Sequence, residues 1–160
     1  MFSDIYRGKK ILITGNTGFK GSWLTVWLKK LGASIYGLSK DVPTRPSMYN
    51  SLNLDQKINF FETDIRDLKK VDSIISKVKP DFIFHLAAQS LVSKSYSDPV
   101  DTISTNVNGT LNILESIRNL KKKCVAVFIT SDKCYDNVEW EWGYREIDAL
   151  GGKDIYSGSK

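Results

Sequence analysis

A glycine-rich stretch near the N-terminus constrains the fold more than any other part of the sequence. Residues 10–21 read Lys-Ile-Leu-Ile-Thr-Gly-Asn-Thr-Gly-Phe-Lys-Gly. The apolar run Ile11–Ile13 is typical of a buried strand in a parallel sheet. The glycines follow at once, and apolar residues then recur at helical intervals from Ser22 to Leu31. A strand, a tight turn and a helix in this order aim unpaired backbone N–H groups at an anion, which predicts a phosphate-binding turn.

The spacing of these glycines is a variant of the dinucleotide-binding fingerprint. The usual form is G-x-G-x-x-G, whereas here the pattern is G-x-x-G-x-x-G. An ordinary glycine-closed loop is the alternative interpretation, and the position of the turn after an N-terminal apolar strand favours the cofactor site. We predict that the turn binds the pyrophosphate of a dinucleotide, with contacts from Gly15, Asn16, Thr17, Gly18, Phe19 and Gly21.

Strand-like and helix-like patterns alternate along the rest of the chain. Apolar segments of strand length follow at residues 33–39, 57–61, 81–88 and 124–130, and helical patterns cover residues 68–79 and 102–120. Residues 43–54 are expected to form a long loop. This alternation predicts an α/β fold: a Rossmann-like, doubly wound parallel sheet with helices on both faces. Ligands of such sheets bind beyond the carboxyl ends of the strands.

Acidic and small residues at the predicted strand ends are candidates for the rest of the cofactor site. Asp41 could hold the ribose hydroxyls of NAD, whereas Lys40 and Arg45 would favour the 2′-phosphate of NADP, so these residues leave the choice between the two cofactors open. Asp67 is the better candidate for a helix N-cap. The further residues predicted to contact the cofactor are Asp64, Ile65, Leu86, Ala87, Ala88 and Gln89, together with Tyr156 and Lys160 near the C-terminus.

Two polar residues within apolar patterns also require an explanation. His85 follows three apolar residues, and we interpret it as a buried, locally bonded histidine rather than a catalytic one. Asn106 is unfavourable inside a helix, which suggests that its side chain bonds a specific partner such as backbone near the site.

Composition excludes several other classes of protein. The apolar share of 41% and the charged share of 26% describe a globular protein, and no apolar segment approaches the length of a membrane span. The charged N-terminus does not resemble a signal peptide, so we expect a cytoplasmic protein. Two cysteines and one histidine offer neither a disulfide framework nor a metal site. The net charge of +5 is scattered apart from Lys121–Lys123, which we interpret as a solvated turn, so nucleic acid is not an expected partner.

The last five residues contain a Tyr-x-x-x-Lys pattern formed by Tyr156 and Lys160. Positions i and i+4 share one face of a helix, so the phenol and the ammonium are expected to lie together. A free tyrosine has a pKa of ~10, and a nearby cation lowers that value, which makes the pair a candidate proton acceptor. Ser131, at the end of the fifth predicted strand, could add a hydroxyl to this site.

These patterns resemble those of the extended short-chain dehydrogenases/reductases, the family of sugar-nucleotide dehydratases and epimerases, and particularly its 4,6-dehydratases. The resemblance is spread over essentially the whole chain, in residues 14–24, 85–89, 105–110, 130–135, 142–146 and 150–157. It implies an NAD-dependent enzyme that acts on a sugar nucleotide, CDP-glucose in particular. It also implies a homo-oligomer formed by the helix at 102–120 and the helix near Tyr156. Because enzymes of this family are longer, we expect residues 1–160 to be the N-terminal, cofactor-binding part.

The resemblance further implies roles for individual residues. Tyr156, aided by Lys160 and Ser131, would remove the proton of the 4-hydroxyl as a hydride passes from carbon 4 to NAD. Asp132 would protonate the departing 6-hydroxyl. Lys133 would remove the proton on carbon 5, which requires a neutral amine, or would instead serve only as a phosphate or carbonyl partner. Two rival functions remain: another epimerase or reductase of the family, and a nucleotide-binding module without catalysis.

Overall fold

The computed structural model describes residues 2–160, which form one five-stranded sheet with helices on both faces. The strands are β1 (Lys10–Thr14), β2 (Ser34–Ser39), β3 (Asn59–Glu62), β4 (Phe82–His85) and β5 (Val125–Phe128). All neighbouring strands are parallel, in the order β3-β2-β1-β4-β5. The chain runs outward from β1 to β3 and then returns to the other side of β1. This reversal opens a crevice between the carboxyl ends of β1 and β4, and the predicted doubly wound sheet is confirmed.

The helices fill the connections between the strands. They are α1 (Phe19–Lys30), α2 (Met48–Ser51), α3 (Leu68–Val78), α4 (Val92–Ser97), α5 (Pro99–Ile103), α6 (Gly109–Asn119) and α7 (Ile155–Gly158). Short 3₁₀ turns cover Phe2–Asp4, Leu54–Gln56 and Asp132–Cys134, and a π-helical turn at Ser104–Asn108 joins α5 to α6.

Several element boundaries differ from those predicted. The helix α1 begins directly at the glycine turn, earlier than the predicted Ser22, because Gly18 is its N-cap residue. The predicted single helix at 102–120 begins instead at Pro99, where the Asp98 side chain accepts from the amide of Asp101. The long loop predicted at 43–54 was wrong in part, since it contains α2 and a 3₁₀ turn.

The first strand lies between two apolar clusters, one on each face of the sheet. On one face Leu12 packs with residues of α3 and α6, among them Ile75 and Ile113. On the other face Ile11 and Ile13 pack with Leu28 of α1. Each Å² of apolar surface removed from water contributes about 25 cal/mol to the stability of the fold, and β1 buries such surface on both faces of the sheet. The end of β1, and therefore the glycine turn, has a rigid base.

Two features of the surface agree with the sequence interpretation: the N-cap of α3 and the exposed run of lysines. The helix α3 is capped by Asp67, whose carboxylate accepts from the amide of Lys70 at 3.1 Å, as predicted. The run Lys121–Lys123 is exposed, and Lys122 pairs with the carboxylate of Asp81 at 2.7 Å. Cys124 and Cys134 are free thiols. Among the helices that the structure describes, none is both long and apolar enough to cross a membrane.

Candidate active site

The glycine turn places the N-terminus of α1 at the carboxyl edge of the sheet. The amide of Gly15 donates to the carbonyl of Leu38 on β2 at 2.8 Å, and that of Gly18 donates to the carbonyl of Gly15 at 3.1 Å. No side chain caps the first turn of α1. The first amides of a helix lack partners within it and carry a positive partial charge, so this end of α1 suits a phosphate.

The glycines of the turn are required for two different reasons. Gly15 has φ +70°, and a Cβ added there would lie only 2.7 Å from the amide nitrogen of Ala87. Gly21 packs directly on the carbonyl of Gly15. At Gly18, by contrast, the nearest atom to an added Cβ is the carbonyl oxygen of Gly15, 3.4 Å away. Protein packing therefore does not explain Gly18, whereas the close approach of a ligand does, which fits a dinucleotide at this turn.

Buried hydrogen bonds tie the turn to the end of β2. The Ser39 hydroxyl donates to the side-chain oxygen of Asn16 at 2.9 Å, and the amide of Thr17 donates to that hydroxyl at 3.4 Å. The Thr17 hydroxyl donates to the backbone carbonyl of Asp41 at 2.6 Å. Asn16 and Thr17 are thus structural supports of the turn. The exposed side chain of Asp41 remains beside it, where the ribose was predicted.

The residues after β3 are held by a cluster of charged side chains. The Arg66 guanidinium donates to both carboxylate oxygens of Asp64 and also to Asp101 of α5. These hydrogen bonds hold the pKa of Asp64 below its usual range. The side chain of Ile65 is buried in the core, and Asn112 of α6 donates to its backbone carbonyl at 3.0 Å. Asp64 therefore lies at the strand edge as predicted, whereas Ile65 presents no side chain to a ligand.

The segment after β4 forms the second wall of the crevice. The Thr14 hydroxyl oxygen accepts from the amides of Leu86 and Ala87, at 3.2 and 3.1 Å. Ala87 and Ala88 line a cavity of about 370 Å³. The side-chain amide of Gln89 is engaged within the protein, since it donates to the hydroxyl of Thr102 at 3.0 Å. Gln89 thus shapes this wall through its backbone.

Asn106 organises the far end of the same cavity. Its side-chain oxygen accepts from the amide of Gln89 at 2.8 Å, and its side-chain nitrogen donates to the Gln89 carbonyl at 3.1 Å. The same nitrogen donates to the Ser159 hydroxyl at 2.9 Å. The prediction that Asn106 bonds backbone near the site is confirmed. Its place in the π-helical turn lets one buried amide join the second wall to the C-terminal helix.

The predicted acid–base residues lie in the turn that follows β5. The Ser131 hydroxyl accepts from the amide of Lys133 at 3.2 Å and donates to the carboxylate of Asp132 at 3.0 Å. The side chains of Asp132 and Lys133 are both exposed. These three residues are therefore together at the carboxyl end of β5, and no wall encloses them within the described residues.

Tyr156 and Lys160 are held close to each other beside this turn. The Asp154 carboxylate accepts from the amide of Ser157 at 2.9 Å and caps the short helix α7, which keeps the pKa of Asp154 below its usual range. Tyr156 is 9% exposed, and the Lys160 ammonium lies 5.7 Å from the centre of its ring. Burial lowers the pKa of Lys160. The two side chains meet as predicted, but Lys160 lies beyond the end of α7 and contacts the ring face.

Some residues that build the site were not identified from the sequence. The Thr14 hydroxyl links β1 to the segment after β4. The Ser159 hydroxyl accepts from the side chain of Asn106, and the side chain of Asn112 donates to the carbonyl of Ile65. A threonine hydroxyl at the end of the strand before the glycines was the available signal for Thr14. Ser159 and Asn112 gave none, because their partners are far away in sequence. Among the described residues, no cluster of three His, Cys, Asp or Glu side chains could hold a metal ion.

The fold and the residues at the carboxyl ends of its strands define the class of protein. It is a doubly wound domain with a dinucleotide-type glycine turn where the strand order reverses, and with a tyrosine–lysine pair nearby. The family described as GDP-mannose 4,6 dehydratase matches residues 12–160. The chain therefore belongs to this family, one of the extended short-chain dehydrogenases/reductases, as its motifs predicted.

Relatives of known name include both dehydratases and epimerases. CDP-glucose 4,6-dehydratase of Salmonella typhimurium is 47% identical over 157 residues, which cover 98% of this chain and 44% of that protein. CDP-paratose 2-epimerase of Salmonella typhi is 32% identical over 142 residues, 87% of this chain and 41% of that protein. The crystal structure of Thermus thermophilus UDP-glucose 4-epimerase in complex with NAD superposes with a TM-score of 0.80 at 29% identity, covering 94% of this chain and 47% of that one. The chain thus spans less than half the length of these relatives.

Proposed function

We propose that residues 1–160 form the cofactor-binding part of a sugar-nucleotide 4,6-dehydratase that converts CDP-glucose to CDP-4-dehydro-6-deoxy-glucose. The observation that carries this proposal is the gathering of Ser131, Asp132, Lys133, Tyr156 and Lys160 next to the end of β5, on the edge that also bears the glycine turn. The identity of 47% to a CDP-glucose 4,6-dehydratase supports the choice of substrate. Sugar binding is assigned to a further part of the enzyme, since these relatives are more than twice as long.

NAD is the proposed cofactor, with NADP the less favoured alternative. Gly15 and Gly18 of the turn and the uncapped N-terminus of α1 would hold its pyrophosphate, and Asp41 and Asp64 lie where its adenosine half was predicted. The chemistry that NAD supplies when bound is reversible hydride transfer. The Thermus epimerase with the similar fold binds NAD, which supports the same choice. Titration of the chain with each cofactor in a calorimeter tests it, and tighter binding of NADP would contradict it.

Tyr156 is the proposed acceptor of the 4-hydroxyl proton. Tyr156 is 9% exposed, and the ammonium of Lys160 lies 5.7 Å from the centre of its ring, so the phenol and the amine of the predicted pair are adjacent. Ser131 is the proposed hydrogen-bond partner of the same hydroxyl. Its own hydroxyl is oriented by the amide of Lys133 and the carboxylate of Asp132.

Asp132 and Lys133 are the proposed acid and base of the elimination. Removal of the proton on carbon 5 by Lys133 and delivery of a proton to the 6-hydroxyl by Asp132 release one molecule of water and leave a double bond between carbons 5 and 6. Return of the hydride from carbon 4 to carbon 6, with a proton added at carbon 5, would then give the 4-dehydro-6-deoxy sugar. The amine of Lys133 must lose its own proton first, which exclusion of water favours. Since the side chains of Asp132 and Lys133 are exposed in residues 1–160, we propose that bound substrate and the sugar-binding part of the enzyme exclude water from them.

The experiment supplies CDP-glucose and NAD to the full-length enzyme and follows NADH absorbance in a single turnover. Tyr156→Phe is expected to block oxidation, so that no NADH appears. Lys133→Met is expected to permit oxidation and stall water loss by 10²–10⁴-fold, so that bound NADH accumulates. The matched control is Lys153→Met, which alters an exposed lysine nearer the C-terminus and should turn over normally. A Lys133→Met enzyme that turns over at the normal rate would show that this lysine is not the base.

An epimerase is the second candidate, favoured by the names of two of the similar proteins. Such an enzyme needs the tyrosine and lysine but no acid–base pair for elimination. Mass spectrometry of the product separates the two functions, because dehydration removes one water whereas epimerisation leaves the mass unchanged.

Assembly into a homo-oligomer is also proposed for the full-length enzyme. The helical segment from α5 to α6 leaves large apolar side chains exposed, at Ile103, Val107, Leu111 and Leu114. Burial of this face between subunits would remove it from water. Sedimentation of the enzyme and of a Leu111→Glu variant tests this, and a monomeric wild-type enzyme would contradict it.

A further inference from the structure

His85 is the single histidine of the chain and lies at the carboxyl end of β4, paired with Thr14 of β1 in the sheet. Its ring is 4% exposed and stands between two hydroxyl groups. The Nδ1 atom is 2.7 Å from the Thr14 hydroxyl oxygen on β1, and the Nε2 atom is 3.1 Å from the Thr110 hydroxyl oxygen on α6. The predicted burial of His85 is confirmed, and its hydrogen-bond partners lie on other elements of the fold.

The hydrogen bonds of Thr14 determine which nitrogen of His85 carries the proton. A hydroxyl oxygen accepts two hydrogen bonds and donates one. The Thr14 oxygen already accepts from the amide of Ala87 at 3.1 Å, and the amide of Leu86 is shared between this oxygen and the Thr14 backbone carbonyl, at 3.2 Å from each. Its own proton is therefore the one that lies between it and Nδ1, so Nδ1 is an acceptor. The proton of the neutral ring then resides on Nε2, which donates to Thr110.

We propose that His85 is a positioning residue for the cofactor site: as the neutral Nε2–H tautomer, it orients the Thr14 hydroxyl that fixes Leu86 and Ala87 against the glycine turn. The proposal rests on the assignment of this crevice to the cofactor. The two walls are in close contact, since a Cβ on Gly15 would lie 2.7 Å from the amide nitrogen of Ala87. A small shift of Ala87 would therefore change the space above the turn.

A charged imidazolium does not fit this arrangement. With protons on both nitrogens, the proton on Nδ1 would point at the proton of the Thr14 hydroxyl. To accept a hydrogen bond from Nδ1 instead, the Thr14 hydroxyl would have to rotate and lose its bond to the amide of Leu86 or Ala87. The surroundings oppose that charge as well. The ring of Phe128 packs 5.3 Å away, and burial together with the positive charge of Lys160 lowers the pKa of His85 to about 4.

The tautomer can be observed directly by NMR. In the ¹⁵N-labelled chain, long-range ¹⁵N–¹H correlations of the one histidine need no residue assignment. We expect an unprotonated Nδ1 and a protonated Nε2, unchanged between pH 7.5 and pH 5. A proton on Nδ1, or charging of the ring near its reference pKa of about 6.5, would overturn the proposal. This NMR measurement needs no cofactor, so it tests the tautomer of His85 independently of the proposed function.

Variants then test the link to the cofactor by calorimetry with NAD. His85→Leu removes the acceptor for the Thr14 proton and is expected to weaken NAD binding about tenfold, the size of one lost buried hydrogen bond. His85→Asn retains an acceptor near the Nδ1 position and is expected to recover most of that loss, which loss of packing alone would not predict. Equal affinities of the two variants would contradict the role of the acceptor.

A second pair of variants keeps the proposal testable if His85→Leu fails to fold. Thr14→Ser retains the hydroxyl, whereas Thr14→Val removes it at similar volume. We expect Ser at this position to preserve NAD binding and Val to weaken it about tenfold. Equal binding by both would show that the hydroxyl does not fix the crevice. If the wild-type chain itself binds no NAD, the proposed function fails, and the NMR result still decides the state of His85.

Discussion

The glycine turn and the segment from Ser131 to Lys160 both carry predicted functional residues, but they are held in different ways. Around the turn, Thr14, Asn16 and Thr17 are buried, and hydrogen bonds join them to strands far away in sequence. In the second segment, Asp132 and Lys133 are exposed, and the bonds of Ser131 are made to its immediate neighbours.

This difference indicates a division of labour. A pyrophosphate site needs fixed backbone amides and close approach, and the contacts within residues 1–160 provide both. Acid–base chemistry needs groups shielded from water, and exposed side chains lack that shielding. We therefore expect cofactor binding to be a property of this chain, and elimination to depend also on surfaces that enclose Asp132 and Lys133.

The largest effect is expected from crowding the contact between the two walls of the crevice. Gly15→Val forces a β-branched residue into φ +70° and against Ala87, and each of these costs about 1–3 kcal/mol, so a combined loss of about 4 kcal/mol is expected. Urea denaturation measures it. Gly143→Val is the matched control, because an added Cβ there meets nothing within 4 Å, and it should change stability by less than about 0.5 kcal/mol. Similar stability of the two variants would refute a close-packed crevice.

Acid is the next largest perturbation of the buried region. Because the pKa of His85 is about 4 in the fold and about 6.5 when unfolded, the unfolded state alone binds a proton between these values. Stability should thus be full above pH 6.5 and fall by about 3 kcal/mol as the pH drops to 4. Carboxylates with lowered pKa, such as Asp64, add to this loss below about pH 5, where the unfolded chain begins to bind their protons. Urea denaturation of wild type and His85→Asn isolates the histidine: a variant with the same slope between pH 6.5 and pH 4 would exclude it as the source.

The link between the two regions is expected to have an intermediate effect. Asn106→Ala leaves the amide and carbonyl of Gln89 unpaired and removes the donor to the Ser159 hydroxyl, which keeps its own bond to the Tyr156 carbonyl, and should cost about 2 kcal/mol. Asn108→Ala, at an exposed position of the same π-helical turn, should cost far less. Thermal denaturation compares them, and equal losses would mean that the turn, rather than the amide of Asn106, joins the two regions.

The smallest effect on stability is expected at the exposed acid. Asp132→Asn retains an acceptor for the Ser131 hydroxyl and alters no buried group, so stability should change by less than about 0.5 kcal/mol. The same substitution should slow water loss in the full-length enzyme by 10²–10⁴-fold. A large loss of stability would show that the turn after β5 is more tightly integrated than its exposure indicates.

The sequence predicted best what depends on short stretches of chain. The alternation of apolar patterns was sufficient for the sheet, and the glycines after Ile11–Ile13 were sufficient for the turn. The sequence also predicted the N-cap at Asp67, because aspartate suits that position, and the bonded Asn106, because asparagine is unfavourable inside a helix.

What the sequence did not reveal depends on long-range contacts. The acceptor role of Thr14 requires β1 and β4 to be adjacent, and its local signal, a hydroxyl at the end of the strand before the glycines, does not identify its partners. Predicted contacts of Ile65 and Gln89 with a ligand were assigned by position alone, whereas packing turns Ile65 into the core and engages the Gln89 amide. The pairing of Tyr156 with Lys160 was expected on one helical face, yet Lys160 lies past the end of α7.

Calorimetric titration of NAD into the 160-residue chain and its Gly18→Val and Gly143→Val variants tests the central claim most directly. At Gly18 the protein leaves room for a Cβ, so valine should keep the fold, at a cost of about 1 kcal/mol for the altered N-cap, while its side chain occupies the space of the pyrophosphate. The account predicts equal binding by wild type and Gly143→Val, and binding at least about 100-fold weaker for Gly18→Val. A folded Gly18→Val chain that binds NAD as tightly as wild type would contradict the assignment of the turn.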